Sequence, residues 1–582
     1  MLMAWALSIF VTWVVLAAVL VGIGSIVLAI LSRDYVLTDA LWIGLGVSTA
    51  VLQIWNLLLP VNSKVVVVLL GVGAFGLVFH RSSLASLLSK GLKEQRWVIL
   101  FGVAIVLLIA VRACGPCDHY DTGLYGAPAV RWATTYPTVP GLANVHGRLG
   151  FNSSVFLWVA ALDQGGWKNQ ADHLFTGFVL VAIWLTILPA VARVVGKSSM
   201  APSDWFYCIL AIPMFYWATR AGLVGTLTDQ PATIACLAGA GMLFDGFALK
   251  NGEEKRQASD SRLVVAAALF TLAVTFKQST ILFAVVAWCL VLWRIWKTEQ
   301  TTWQRAKYVG AVLSLTALVL LPWFVRGIIL SGYPFYPATV LGFPFDWKTP
   351  AGAANWNAAL VRSWGRNLDA HYFADTQGFG WLRGWVTQSI RDRASFQVPI
   401  AISLAGVVAG GLGRAKARVH ASPWLWLLAP SLAGLIFWFW ASPSLRFAQF
   451  AIWTMAATLG TWGIVSLRFE PQQVRAGAVL AGLLALLLWC LAGFGWKEPY
   501  QALLAVRNLP GLPRASFMER RTLSGLAVNV PVDDDRCWDA PLPCTPYFDE
   551  TLRLRDGRDM RRGFAVEERP EYWRRHLLDP IR

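Results

Sequence analysis

Between residues 118 and 154 the chain gathers side chains that can handle a phosphate and a hydroxyl together. They are Asp118-His119-Tyr120-Asp121-Thr-Gly-Leu-Tyr125, then Arg131-Trp132, then Asn144-Val-His146-Gly-Arg148 and Asn152-Ser-Ser. The acids offer a general base, Arg131, His146 and Arg148 offer donors to phosphate oxygens, and Tyr125 and Trp132 offer rings on which a sugar can stack. His119 and Asn152 add polar contacts to a substrate. A spacing of three puts Asp118 and Asp121 on one face if the segment is helical. The plain alternative is a solvated loop at a membrane surface. Glycines and small residues interrupt the stretch, however, and a solvated loop has no need of two histidines.

Further cations lie at isolated positions. Lys277 falls at a break between two expected helices. Arg326 opens a second polar loop that runs through Ser331-Gly-Tyr333-Pro-Phe-Tyr336-Pro and Asp346-Trp347-Lys348 to Arg362, Arg366, Asp369, His371, Tyr372 and Asp375. Asp229 stands in Thr228-Asp-Gln-Pro231, after a loop containing Arg220, and Arg446 in the tight Ser442-Pro-Ser-Leu-Arg446-Phe447 connection. Lys277, Arg326 and Arg446 could converge on a phosphate or pyrophosphate, since arginine supplies a planar fork and lysine a point charge. Taken singly, each is explained as well by a side chain reaching toward lipid headgroups. Cys114-Gly-Pro-Cys117 has thioredoxin-type spacing but follows an apolar span instead of a strand, so a local disulfide is expected there. Cys537 and Cys544 are expected to form a second. No zinc-finger spacing, Walker loop, dinucleotide fingerprint, HExxH or GxSxG is present.

The elements that must position these residues are membrane helices. Of 582 residues 56% are hydrophobic and 14% charged, with a mean hydropathy of +0.53, which excludes an ordinary soluble enzyme. The net charge of +17 is read as membrane topology, not as nucleic-acid binding. Apolar runs predict about fourteen spans, over 4–31, 39–60, 65–80, 97–112, 171–193, 204–218, 231–248, 263–276, 279–296, 308–325, 396–413, 423–441, 447–466 and 476–494. The basic connections around residues 81–96, 193–197, 250–262, 294–307, 414–418 and 468–475 then share one side, the cytoplasm. This requires residues 151–162 not to cross. Loops 113–170 and 326–395 and the tail 495–582 fall outside, the tail as a small folded appendage. The expected organisation is N-terminal membrane helices over 1–96, a core over 97–494, and the tail. Because the spans are nearly free of ionisable residues, a pump or channel is disfavoured against an enzyme of the outer membrane surface.

The Asp118-His-Tyr-Asp121-Thr-Gly-Leu-Tyr125 segment, directly after a membrane helix, resembles the acidic loop motif of the GT-C superfamily of membrane glycosyltransferases. The Asp121 to Ser154 block, Ser331-Gly-Tyr-Pro-Phe-Tyr-Pro with Asp346-Trp347, and Pro541-Leu-Pro-Cys-Thr-Pro546 resemble a family of bacterial membrane proteins with a GT-C-like plan. The resemblance implies an all-α polytopic bundle in the bacterial inner membrane with its active face periplasmic. It implies sugar transfer, with inversion, from a polyprenyl-phosphate donor to a glycan or lipid acceptor of the envelope. Asp121 would be the base and Asp118 its reserve, with the donor phosphate on some of Arg131, His146, Arg148, Lys277, Arg326 and Arg446. His119, Tyr125, Trp132, Asn152, Asp229, Tyr333 and Tyr336 would contact substrate. Related enzymes hold a divalent cation, Mg or Mn, between acids and phosphate, and Asp118 with Asp121 could do the same, although the residues do not demand it. The rival readings are a lipid-linked glycan flippase and an O-antigen polymerase or ligase-like enzyme.

Overall fold

A long apolar run has only its own backbone to satisfy its amides and carbonyls, and in the computed structural model such runs become helices. The structure describes all residues except 32–34, 87–95, 197–199, 220–221, 249–252, 299–300, 368–372, 417–422, 468–476, 478–479, 486, 490–506 and 577–582. The helices are α1 (Leu2–Leu31), α2 (Leu37–Leu58), α3 (Ser63–Phe79), α4 (Arg96–Arg112), α5 (Ala127–Thr135), α6 (Val155–Leu162), α7 (Phe175–Val195), α8 (Pro202–Thr219) and α9 (Asp229–Ala248). They continue as α10 (Glu253–Phe276), α11 (Ile281–Lys297), α12 (Thr302–Ser331), α13 (Ala351–Arg366), α14 (Leu382–Arg391), α15 (Val398–Lys416), α16 (Leu428–Ala441), α17 (Gln449–Ser466) and α18 (Pro570–His576).

The chain is mostly helical, but a count of fourteen spans is not supported. Among the described residues six helical stretches are long and apolar enough to cross a membrane: Leu2–Leu31, Leu37–Leu58, Ala171–Val195, Gln278–Lys297, Thr302–Ser331 and Arg393–Gly413. Others fall short for physical reasons. α3 and α4 have 17 residues each and α16 has 14, below the roughly 20 that a bilayer core takes. α8 and α9 interrupt their apolar surface with Asp204, Pro213, Asp229 and Asp245. The expected span 476–494 lies largely outside the described residues. The stretch expected not to cross contains α6, a mostly buried helix of eight residues that reaches only about 12 Å. Apolar side chains stand exposed along the outer faces of the helices, among them Val11, Val67, Phe75, Leu321 and Val408, as a lipid-facing surface requires.

Small residues let the first helices close on one another. A Cβ placed on Gly24 would lie 1.8 Å from the Ala40 carbonyl oxygen, and one on Gly44 would lie 1.9 Å from that of Leu20, so α1 and α2 are in backbone contact.

The tail departs from the all-helical expectation. β1 (Phe517–Arg521) pairs antiparallel with β2 (Ala527–Pro531), and β3 (Arg553–Leu554) pairs with β4 (Phe564–Ala565). The expected Cys537–Cys544 disulfide is present, with Cα atoms 6.0 Å apart. The expected Cys114–Cys117 disulfide is not, and both are free and buried. Cys114 closes the end of α4 by donating to the Ala110 carbonyl at 3.4 Å, while Cys117 packs with Val224 and Trp538.

Replacing Gly44 by Leu should therefore destabilise the protein by at least about 2 kcal/mol, because the α1–α2 contact must open. Gly46, where an added Cβ meets nothing within 4 Å, is the control. Thermal unfolding in one detergent should show a lower Tm for Gly44→Leu and an unchanged or higher one for Gly46→Ala.

Candidate functional site

Beyond Arg112 the chain leaves α4 and runs without regular structure from Pro116 to His119. Asp121 then opens a single π-helical turn, Thr122–Gly126, which continues into α5. Isolated π turns are uncommon and cluster at functional sites. Two neighbours hold this one. Thr122 Oγ1 accepts from the Thr226 amide at 3.1 Å, and the Trp538 amide donates to the Gly123 carbonyl at 3.0 Å. The Trp538 indole lies so close that a Cβ on Gly123 would come within 2.5 Å of it. Asp118 precedes the turn, so the helical face it was expected to share with Asp121 does not form.

Asp121 lies at the centre of a ring of charges drawn from five separate parts of the chain. Arg148 Nη1 approaches its Oδ1 at 3.4 Å and Arg446 Nη2 its Oδ2 at 3.2 Å. Arg446 Nε also reaches Asp229 Oδ2 at 3.7 Å, and Lys277 pairs with Asp229 Oδ1. Asp229 begins α9, Lys277 interrupts α10 and α11, and Arg446 sits in the α16–α17 connection. Aromatic rings pack against the cations. Lys277 Nζ lies 3.7 Å from the Phe447 ring centre, and the Arg148 guanidinium lies 4.3 Å from that of Trp364 and 5.6 Å from that of Tyr125.

The electrostatics follow from this arrangement. Burial alone would raise the Asp121 carboxyl, but Arg446 and Arg148, helped by His119 and Lys277, hold it below its ordinary value. It is a carboxylate at neutral pH. Burial lowers His119 and keeps it neutral against the opposing pull of Asp121. Three basic side chains face two carboxylates; burial and Arg446 pull Lys277 well below its ordinary value, against the opposing charge of Asp121. Some of the site's hydrogen-bonding capacity is unspent: among the described residues Arg148 Nη2 and His119 Nδ1 are buried without a partner. Arg446 is the accessible member, with 51% of its side chain exposed against 17% for Asp121. The ring can therefore receive an anion that takes the guanidinium forks over from the carboxylates.

Of the residues singled out from the sequence, the ring and its border unite Asp121, Arg148, Lys277, Arg446, Asp229, His119 and Tyr125. The others lie elsewhere. Arg131 donates to the backbone carbonyls of Asp539, at 2.5 Å, and Ala540 in the tail. Arg326 is buried and donates to Asn152 Oδ1 at 2.6 Å, which occupies both residues with each other. His146 Nδ1 accepts from the Arg148 amide at 3.0 Å, so it positions that arginine instead of joining the ring. Trp132 packs edge-on against Phe564, Tyr333 donates to the Thr349 carbonyl at 3.1 Å, and Tyr336 is buried against Phe151. Asp118 is exposed. Arg220, Asp369, His371 and Tyr372 lie outside the described residues. No group of three or more His, Cys, Asp and Glu gathers among the described residues, and both ring carboxylates already face cations, so the donor set does not suit a divalent cation. Trp364 and Trp538 escaped the sequence reading. Trp364 had one signal, its place between Arg362 and Arg366.

The model of one protein family matches residues 6–453, most of the chain. The chain belongs to that family, DUF8201, a domain of unknown function. The family region contains every member of the charge ring, from Asp121 to Arg446, whereas the tail lies beyond it. No curated protein and no solved structure matches the chain.

Burial and Arg148 lower His146 to about 3 from its ordinary 6.5, so the folded protein keeps this imidazole neutral. A group lowered by folding contributes its full stability above the unfolded value and loses it toward the folded one. Stability should fall as pH drops from about 6.5 toward 3, and His146→Asn should flatten that slope. Thermal unfolding of both proteins between pH 7.5 and 4.5 measures the difference.

Proposed function

We propose that this protein is a membrane glycosyltransferase that moves a sugar from a polyprenyl-phosphate donor to an envelope acceptor at the extracytoplasmic membrane surface. The observation that carries the reading is the ring itself: a carboxylate flanked by two arginines, with a lysine completing the set, at the ends of helices. The resemblance of the Asp118 to Tyr125 segment to the GT-C acidic loop supports it, and so does the alternation along the chain of basic connections with those that carry the ring. A GT-C-like bundle in a bacterial inner membrane, with the ring on the periplasmic side, fits the same alternation.

The chemistry is a single displacement. The acceptor oxygen attacks the anomeric carbon, the bond from that carbon to the phosphate oxygen breaks, and the electron pair leaves on the phosphate. Arg148, Arg446 and Lys277 stabilise that charge. Asp121 takes the acceptor proton, and the sugar inverts. Held low by two arginines, Asp121 is a weak base in the free site. A phosphate that draws Arg446 and Arg148 toward itself restores its basicity, so the base is strengthened when the donor is present. Energy comes from the lipid-phosphate bond, and no nucleotide is needed.

The same pull of Arg446 and Arg148 on Asp121 favours one other reading, a polymerase or ligase-like enzyme in which the arginines act on a lipid pyrophosphate and the acid only orients them. Two variants separate the readings in vesicles supplied with polyprenyl-phosphate sugars. In the transferase, Asp121→Asn lowers kcat by about 10²-fold or more while lipid-phosphate binding survives, and Arg446→Ala weakens that binding. A folded Asp121→Asn protein that transfers sugar at the wild-type rate would sink the transferase reading.

A further inference from the structure

A second polar site lies along α5, on the stretch that follows the π turn. It is a cleft of about 380 Å³, within the size range of small-ligand pockets. Ala127, Val130 and Val159 give it an apolar wall, and the tail contributes Leu512. The remaining lining is polar and mixed in sign: Thr134 on α5, Asp163, Lys168 and Asn169 in the loop after α6, and Asp172 at the start of the next helical segment.

The charges argue for a neutral ligand. Arg131 also lines the cleft, so two cations, Arg131 and Lys168, stand there with two acids, Asp163 and Asp172; the commitment of Arg131 Nη1 to two carbonyls of the tail orients its charge without cancelling it. A phosphate would meet as many acids as cations, so the cleft has no excess charge to select an anion. Asp172 is 7% exposed, and among the described residues its Oδ1 has no hydrogen-bond partner. Asp163 is fixed in place by the Asn169 amide, which donates to its Oδ1 at 2.6 Å, with Asn169 in a left-handed conformation (φ 62°). Fixed carboxylates and amides beside a small aliphatic wall match the hydroxyl rim and C–H face of a sugar ring.

The cleft is coupled to the ring through backbone. The Asp172 carbonyl accepts from the Gly225 amide at 2.9 Å, and the next amide, Thr226, is the one that holds Thr122 in the π turn. At about 1.5 Å per residue, Ala127 stands roughly 9 Å along the helix from Asp121 and Thr135 roughly 20 Å. That is a reach of a few sugar units.

We propose that this cleft is a saccharide subsite for an uncharged, hydroxyl-rich ring. Its role as the place where the acceptor glycan is gripped, a few units from the reacting hydroxyl, rests on the transferase reading. The binding itself does not. Remote contacts of this kind orient an acceptor and select it.

Saturation-transfer NMR on the full-length protein in lipid nanodiscs, with the methyl glycosides of glucose, galactose and mannose as probes, tests the site. The expected result is transfer to at least one glycoside, weakened about tenfold by Asp163→Asn and by Thr135→Trp, which fills the exposed rim. It should be unchanged in Asp121→Asn and in the presence of inorganic phosphate. Asp163→Asn keeps the acceptor for the Asn169 amide, so it answers the question even if the tryptophan variant does not fold. Transfer to no glycoside, or equal transfer in the variants, overturns the subsite and leaves the transferase reading standing. Glycoside binding in the cleft combined with wild-type sugar transfer by Asp121→Asn overturns the transferase and leaves the subsite.

Discussion

Asp121 and Asp229 are mostly sheltered carboxylates, and Arg446 reaches both. Two buried acids without partners would protonate or force the site open, because removing a charge from water costs far more than a surface pair returns. The ring exists because α4, α9, α10 and α16 end at one place and each delivers a charge that another needs. Everything near it reads as a device for keeping those ends together. The arrangement is also incomplete, since among the described residues Arg148 Nη2 and His119 Nδ1 are buried without partners while Arg446 stays open to solvent. A site whose charges were fully spent on one another would have no affinity left for an anion.

Three further layers hold the ring. His146 fixes the backbone of Arg148, and Trp364 and Tyr125 lie against its guanidinium, so the fork is oriented before any ligand arrives. The π turn places Asp121, and the turn is clamped between the Thr226 amide and Trp538. The tail thereby becomes part of the site although it lies outside the family match. Its disulfide ties Cys537, beside Trp538, to Cys544, and Tyr120 donates to Asp535. A segment joined to the acidic loop at so many points acts as its outer support.

Much of this was legible in the sequence, for reasons that differ by residue. Asp121 and Arg148 stood out in a loop dense with acids, histidines and arginines, and Lys277, Asp229 and Arg446 because ionisable groups in short connections between apolar helices need a cause. The long runs of α1, α2 and α12 announced themselves by length alone. The Cys537–Cys544 pair was readable from its short spacing, whereas Cys114 and Cys117 misled, because a CxxC that turns out of a helix can point one thiol back into the helix and the other into a separate core. Arg326 and Arg131 looked like members of the ring because side-chain type says nothing about direction. Asn152 captures the first and tail carbonyls capture the second. The span count failed because the apolar runs behind it include helices too short to cross, α3, α4 and α16, and helices interrupted by polar residues, α8 and α9. The tail sheets were missed because β3 and β4 are two residues long and β1 is exposed along all five of its residues, so neither pair shows a clear alternation.

The central claim is that the ring formed by Asp121, Arg148, Asp229, Lys277 and Arg446 receives a lipid phosphate. A cryo-EM map of the full-length protein with a bound non-hydrolysable polyprenyl-phosphate analogue tests it most directly. The expected result is phosphate density within hydrogen-bonding distance of Arg446 and Arg148, with the Arg446 guanidinium turned away from Asp121. Phosphate density lodged midway across the helices, with the Arg446 to Asp121 pair intact, would contradict the account and indicate a carrier of lipid-linked glycan.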